Sequence, residues 1–270
     1  MARVLGECGR YVSNQAIAKR QKWWLLNAVA IAATSVGVGL VLGRLLLPAA
    51  LPTSVSISVM LSFLIGMLWL FKVFNARMNS LDTESKAMQR GTVGEIGVGR
   101  ILQKLPDSFY VINDLSTPFG NLDHVVIGPT GVFILDTKNW RGVVSADGKG
   151  ELLLNGKPTD KPCIRQFMAR MMNIRDKVNQ LASGIDTFHE GLFVFTSARV
   201  EAAWGATSKV NCIRDDQLHE YMVQKSFGRK LNNLHSERLA QAFLAIAHMD
   251  KGFGQAPGTL PHAPPCDRPY

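Results

Sequence analysis

Asn121-Leu122-Asp123-His124-Val125-Val126-Ile127-Gly128-Pro129-Thr130-Gly131-Val132-Phe133-Ile134-Leu135-Asp136-Thr137-Lys138-Asn139 is the stretch on which the fold turns. Two apolar runs, 123–127 and 132–138, flank Gly128-Pro129-Thr130-Gly131. Proline at the second position of a turn and glycine at the fourth predict a β-hairpin. If Pro129-Thr130 is a two-residue loop, Gly128 faces Gly131 and Asp123 lies opposite Asp136, with Cβ atoms about 5 Å apart. Pro-Thr-Gly also suits a type I turn with a glycine bulge, which shifts the register by one. Asp136 and Lys138 are two apart, so both point to one face while Leu135 and Thr137 point to the other. Two carboxylates at that spacing repel by roughly 3 kcal/mol at an effective dielectric of 20. A divalent cation between them turns the penalty into a binding site.

Outward from the hairpin, 92–105 reads as a helix and 110–112 as a short strand. Residues 140–154 are turn-rich and are expected to continue the sheet. The clearest helix is 162–181, where Ile164, Phe167, Met168, Met171, Ile174, Val178 and Leu181 recur at helical spacing. Strands are expected at 192–196 and 210–213, and helices at 215–224 and 236–249. The Gly/Pro-rich residues 251–270 are not expected to fold. Strands mixed with helices give an α/β sandwich built on a largely antiparallel hairpin.

The quoted block, with Gly94-Glu95 before it, Gly120 at its start and Gly142 after it, resembles the nuclease-related domain (NERD) family over roughly 91–218. That resemblance implies a restriction-endonuclease-like core of the PD-(D/E)xK type, a mixed sheet with a central hairpin flanked by helices. It implies a Mg²⁺- or Mn²⁺-dependent nuclease acting on nucleic acid, DNA in the first instance. By position, Asp123 and Asp136 match the two acids and Lys138 the lysine; Glu95 matches a helix acid that joins the metal set. Gln166 sits where related nucleases place a supporting glutamine. One departure is Asp136, where the family usually has Glu. Hard carboxylate oxygens suit such ions, which polarise a phosphate and acidify bound water. Arg165, Arg170 and Lys177 lie off the apolar stripe and are candidates for the phosphate backbone.

Each residue also has a plainer reading. Thr92-Val93-Gly94-Glu95 fits a capping box with Glu95 at its third position. Asp136 and Lys138 alone make an ordinary ion pair. His124 reads as structural, and His189, His219, His235 and His262 share no ligand spacing. Gln166 also fits a solvated helix position, and Trp140 a turn aromatic packed on a sheet edge. A nuclease fold that binds DNA or a protein without cutting is the alternative to an enzyme.

The chain carries a net charge of +9, which suits a phosphate-bearing partner, nucleic acid or anionic lipid. Cys8, Cys163, Cys212 and Cys266 contain no C-x-x-C pair, which argues against a zinc site or a disulfide framework and fits a reducing compartment. Residues 23–43 and 54–71 are apolar runs of roughly 31 and 27 Å as helices, separated by Pro48 and Pro52. They predict a transmembrane hairpin over 23–74 in the inner membrane. Arg3, Arg10, Lys19, Arg20 and Lys22 before it, and Lys72 and Arg77 after it, place both termini and the nuclease-like domain on the cytoplasmic side. Gly37, Gly39 and Gly43 suggest a membrane-protein partner for the hairpin. The expected organisation is a basic N-terminus (1–22), the hairpin, a linker (75–90), the nuclease-like domain (91–250) and a tail (251–270).

Overall fold

In the computed structural model the chain is described except at residues 7, 9–20, 22, 26, 30, 33, 40–52, 186, 203–209, 225–229 and 250–270. The alternating β-branched residues of the hairpin become the middle of a six-stranded sheet. Its order is β1 (Arg3–Leu5), β2 (Tyr110–Thr117), β3 (Gly120–Gly128), β4 (Gly131–Lys138), β8 (His189–Phe195) and β10 (Asn211–Arg214). β2, β3 and β4 run antiparallel in succession, whereas β1–β2, β4–β8 and β8–β10 are parallel. The helices named below are α1 (Thr53–Gln103), α2 (Cys163–Leu181), α3 (Asp215–Gln224) and α4 (Asn233–Met249).

Period-two alternation divides the sheet between two cores. Val125, Ile127, Val132 and Ile134 pack with Ile164, Phe167, Met171 and Ile174 of α2 and Phe243 of α4. Val126, Phe133 and Leu135 pack on the other side with Val98 and Leu102 of α1 and Leu218 and Met222 of α3. The sheet is thus buried on both faces, and its middle strands read as near-continuous apolar runs for that reason. Gly191 of β8 lets α2 come close, since a Cβ there would lie 2.6 Å from Phe167 Cε1. Pro162 gives α2 no side-chain cap. Glu151 supplies one instead, its carboxylate accepting from the Ile164 and Arg165 N–H groups at 3.0 and 2.9 Å. A negative group there satisfies orphan donors and complements the helix dipole.

Several expectations need correction. Residues 140–154 do not extend the main sheet. β5 (Gly142–Ala146), β6 (Leu152–Leu154), β7 (Lys157–Pro158) and β9 (Ala198–Val200) form a second, four-stranded sheet in the order β7-β6-β5-β9. Gly142, at φ +108, turns the chain away at its start. The N-terminus is not merely a basic flank, because Met1–Tyr11 clusters with Arg90–Tyr270 in one compact unit. Arg3, counted above as a topology signal, lies in β1 and donates to Tyr110 Oη at 2.5 Å. Cys8 is disulfide-bonded, against the expectation of separate thiols, while Cys163 and Cys212 are free.

The multi-pass inner-membrane location is overturned, and the membrane hairpin finds no support. Among the described residues, no helix is long and apolar enough to cross a membrane. The apolar run 54–71 does not stand as a helix of its own. The second run opens α1, a helix of 51 residues that continues through Lys72 and Arg77 into the nuclease-like part. Within the unit Val12–Gln89 the polar groups of the first run are met by their own helix. Asn27 donates to Trp23 O at 3.0 Å, and Thr34 and Ser35 donate to Ile31 O at 2.9 and 2.8 Å. Trp23 packs against Phe74, centroids 5.5 Å apart. Arg44, Pro48, Pro52 and the tail 251–270 lie outside the described residues.

Candidate active site

The site forms where β3 and β4 part. Their ladder runs from Gly128↔Gly131 to His124↔Leu135, so the two-residue loop is the one adopted. The next rung in that register is Asp123 opposite Asp136. Pairing stops there, and the N–H of Thr137 donates to Asp123 Oδ2 at 2.7 Å instead. β4 continues alone beside β8 as far as Lys138↔Phe195. A strand edge therefore opens at the level of the acids.

β2 contributes an acid that sequence reading missed. Its register with β3 runs Asn113↔His124, then Leu115↔Leu122, which sets Asp114 at the level of Asp123. Asp114 has φ +53, a left-handed backbone that interrupts the strand, and its Oδ1 accepts from Asn121 Nδ2 at 2.8 Å. Asp is among the few non-glycine residues that adopt this conformation readily. The signal was an acidic residue inside an apolar strand. The polar residues Asn113 and Asp114 break the apolar run after Ile112, so local pattern ends the strand there although it extends to Thr117.

Glu95 arrives on α1. This helix runs unbroken through Thr92, so the capping-box reading of Glu95 falls: there is no helix start there to cap. Gly94 sets the approach, since a Cβ would meet Asn139 Cβ at 3.1 Å and Thr196 Oγ1 at 3.3 Å. Asn139 Nδ2 also donates to Arg90 O at 2.7 Å, tying the end of β4 to the helix. Glu95 is raised from 4.5 to about 8, by burial first and then by the charges of Asp123, Asp114 and Asp136. Asp123 is raised to about 7, by burial first and then by Asp136; Lys138, the Thr137 N–H and Arg170 oppose the shift.

Lys138 Nζ lies 2.5 Å from Asp136 Oδ1 and 5.5 Å from the centroid of the Phe193 ring. Burial alone would lower this ammonium, but the charges of Asp136 and Asp123 outweigh it and hold it above its ordinary value. Arg170, on the flank of α2, donates to Asn121 O at 2.5 Å. Gln166 makes no hydrogen bond to the acids among those described. It is exposed on α2, about 40° further round toward solvent than Arg170 at 100° per residue. His124 is fully buried, hydrogen-bonded to Asn113 Oδ1 at 2.8 Å and pushed down to about 3 by burial, hence neutral and structural. Trp140 packs against Phe195 at 5.6 Å, as a sheet-edge aromatic does.

Carboxylates converging from α1, β2, β3 and β4 around one lysine suit phosphate chemistry with a hard cation. Residues 90–196 match the nuclease-related domain family. The matched NERD segment begins where α1 enters the compact unit and ends just after β8, so it contains Glu95, Asp114, Asp123, Asp136, Lys138 and Arg170. An uncharacterized protein of Bacillus anthracis is 37% identical over 78 residues, 27% of this chain. The chain covers 37% of that relative's length. No solved structure matches it.

The matched segment offers a divalent ion the right donor type, carboxylate oxygens, with two of the carboxyls raised by burial first and then by neighbouring acids. Among the described residues no three of His, Cys, Asp or Glu already stand in ligand geometry. Asp136 Oδ1 is buried and makes no well-directed hydrogen bond, only the close approach of Lys138. The donors are thus hard oxygens suited to such an ion in chemistry, but among the described residues they are not gathered into a ligand set, and Asp136 is held in an ion pair.

Proposed function

We propose that this protein is a divalent-metal-dependent nuclease that hydrolyses phosphodiester bonds, with DNA as its preferred substrate. The observation that carries the reading is the stack of Asp123 opposite Asp136 with Glu95 and Lys138 beside it. Buried like charges with raised carboxyls are costly in a structural role and useful around a cation. Asp123, Asp136 and Glu95 would hold Mg²⁺ or Mn²⁺, which when bound polarises the phosphate and acidifies a water. Lys138 leaves Asp136 for the substrate and stabilises the charge that develops on the phosphoryl oxygens. Asp123 keeps its grip on the Thr137 N–H, which fixes the carboxylate's direction. The ring of Phe193 below Lys138 shields the ammonium from water and strengthens its field at the phosphate.

A second reading, a nuclease-like module that binds nucleic acid without cutting, is favoured by the Lys138–Asp136 pair, which occupies one of the acids. Purified full-length chain, incubated with DNA and RNA in Mg²⁺ or Mn²⁺ beside an Asp136→Ala control, decides between them. Metal-dependent cleavage lost in the variant supports the enzyme. Tight binding with no cleavage of any substrate supports the module.

A further inference from the structure

Arg170 differs from three other arginines of this unit. Arg175, Arg199 and Arg214 each sit in an ion pair, with Asp176, Glu201 and Asp216 at 2.7, 2.5 and 3.0 Å. Arg170 lies close enough to Asp123 for its charge to lower that carboxyl, yet among the described residues it joins no ion pair. Its one described hydrogen bond goes to a main-chain carbonyl, Asn121 O. A guanidinium has five donors in a planar fork, so most of its donors are left for another acceptor.

The β2–β3 turn is built to hold it. Gly120 has φ +117, and a Cβ there would lie 3.1 Å from Arg170 Nε and 3.4 Å from its Cδ. Glycine thus serves both the backbone and the space that the side chain occupies. Asn121 is fixed in turn by its own side chain, which donates to Asp114 Oδ1 at 2.8 Å. The alternatives on α2 lack such a seat: Arg165 is exposed, and Lys177 Nζ donates to Gln180 Oε1 at 3.2 Å.

Resting on the nuclease reading above, we propose that Arg170 binds a phosphate of the nucleic-acid backbone at the acidic site, positioned by the Gly120–Asn121 turn. A planar fork matches two phosphate oxygens at once, and a seat made of main chain fixes the fork's plane before substrate arrives.

Binding of full-length chain to a phosphorothioate DNA duplex in Ca²⁺, followed by fluorescence anisotropy across a salt series, tests this without requiring cleavage. Arg170→Gln should weaken binding about tenfold. It should also shrink the slope of log K against log salt by about 0.9, the loss of one phosphate contact. Gly120→Val should weaken binding similarly although it removes no charge, and Arg165→Gln should change little. Arg170→Lys, which keeps the charge and stem, should fall between Arg170→Gln and wild type and serves if Arg170→Gln does not fold. Wild-type affinity and slope in folded Arg170→Gln overturn the proposal, whatever the cleavage assay shows. An Arg170 effect in a protein that cuts nothing upholds the phosphate contact and sinks the nuclease reading. A wild-type chain that binds no nucleic acid sinks both.

Discussion

Lys138 is held between two demands, neutralising Asp136 and meeting a substrate phosphate. If it stabilises the transition state, Lys138→Ala lowers single-turnover cleavage by about 10²–10³-fold, as loss of one transition-state donor does elsewhere. Nucleic-acid affinity, summed over many phosphate contacts, stays within a few-fold. An unchanged cleavage rate would remove Lys138 from the chemistry. Glu95 and Asp123 give a pH test. Both carboxyls are raised in the folded state, from 4.5 to about 8 and from 3.8 to about 7. Between those limits the folded protein holds protons that the unfolded chain has released, so stability falls as pH rises through that window. Melting temperature in chelator should therefore decline from pH 4.5 toward about 8, less steeply in Glu95→Gln, and Mn²⁺ should flatten the decline. A melting temperature that climbs with pH in chelator contradicts the clustered, cation-seeking acids.

Among the elements, α2 decides how well the site is framed. Its stripe of Ile164, Phe167, Met171, Ile174 and Val178 is buried against the sheet, and Phe167 meets Phe193 at a centroid distance of 5.1 Å. Phe167→Ala should cost about 3–5 kcal/mol, the usual range for emptying a buried aromatic site. Gly191→Ala pushes the same contact from the sheet side and should cost about 1–3 kcal/mol by overpacking. Chemical denaturation of both variants checks these values. If Gly191→Ala matched the wild type, the close approach of α2 to β8 would be wrong. The helix stripe itself was legible, since 3.6-residue periodicity is local. Leu181, the last residue of α2, extends the pattern but is 43% exposed.

At the scale of the molecule, the main sheet is completed from a distance. β1 lies over a hundred residues before its partner, with Arg3↔Tyr110, Val4↔Val111 and Leu5↔Ile112 in register. Gly6, at φ +81, then crosses so near Asn113 that a Cβ would fall 2.2 Å from its carbonyl oxygen, directly beside Asp114. Removal of Met1–Leu5 should cost on the order of 2 kcal/mol, from a few ladder hydrogen bonds of about 1 kcal/mol each. That corresponds to about 4–8 °C in melting temperature for a unit of this size. A truncated chain melting with the wild type would show that β1 contributes nothing to the sheet.

What the sequence determined by itself was whatever repeats over a few residues. Gly-Pro-Thr-Gly and its flanking alternation set the hairpin, whereas the choice between its two registers, and with it Asp123 opposite Asp136, came with the structure. The stripe of α2 followed from helical spacing in the same way, and the reading of helices at 215–224 and 236–249 agrees with α3 and with all but the first turn of α4. Only the tertiary structure decided the rest, because it depends on pairings between distant segments that local periodicity does not carry. β1 found β2, and 142–158 left the main sheet to meet β9. The apolar run after residue 53 became the start of a long helix that delivers Glu95. Asp114 and Arg170 entered the site only through a left-handed residue and a turn glycine, whose meaning appears once the strands around them are in place.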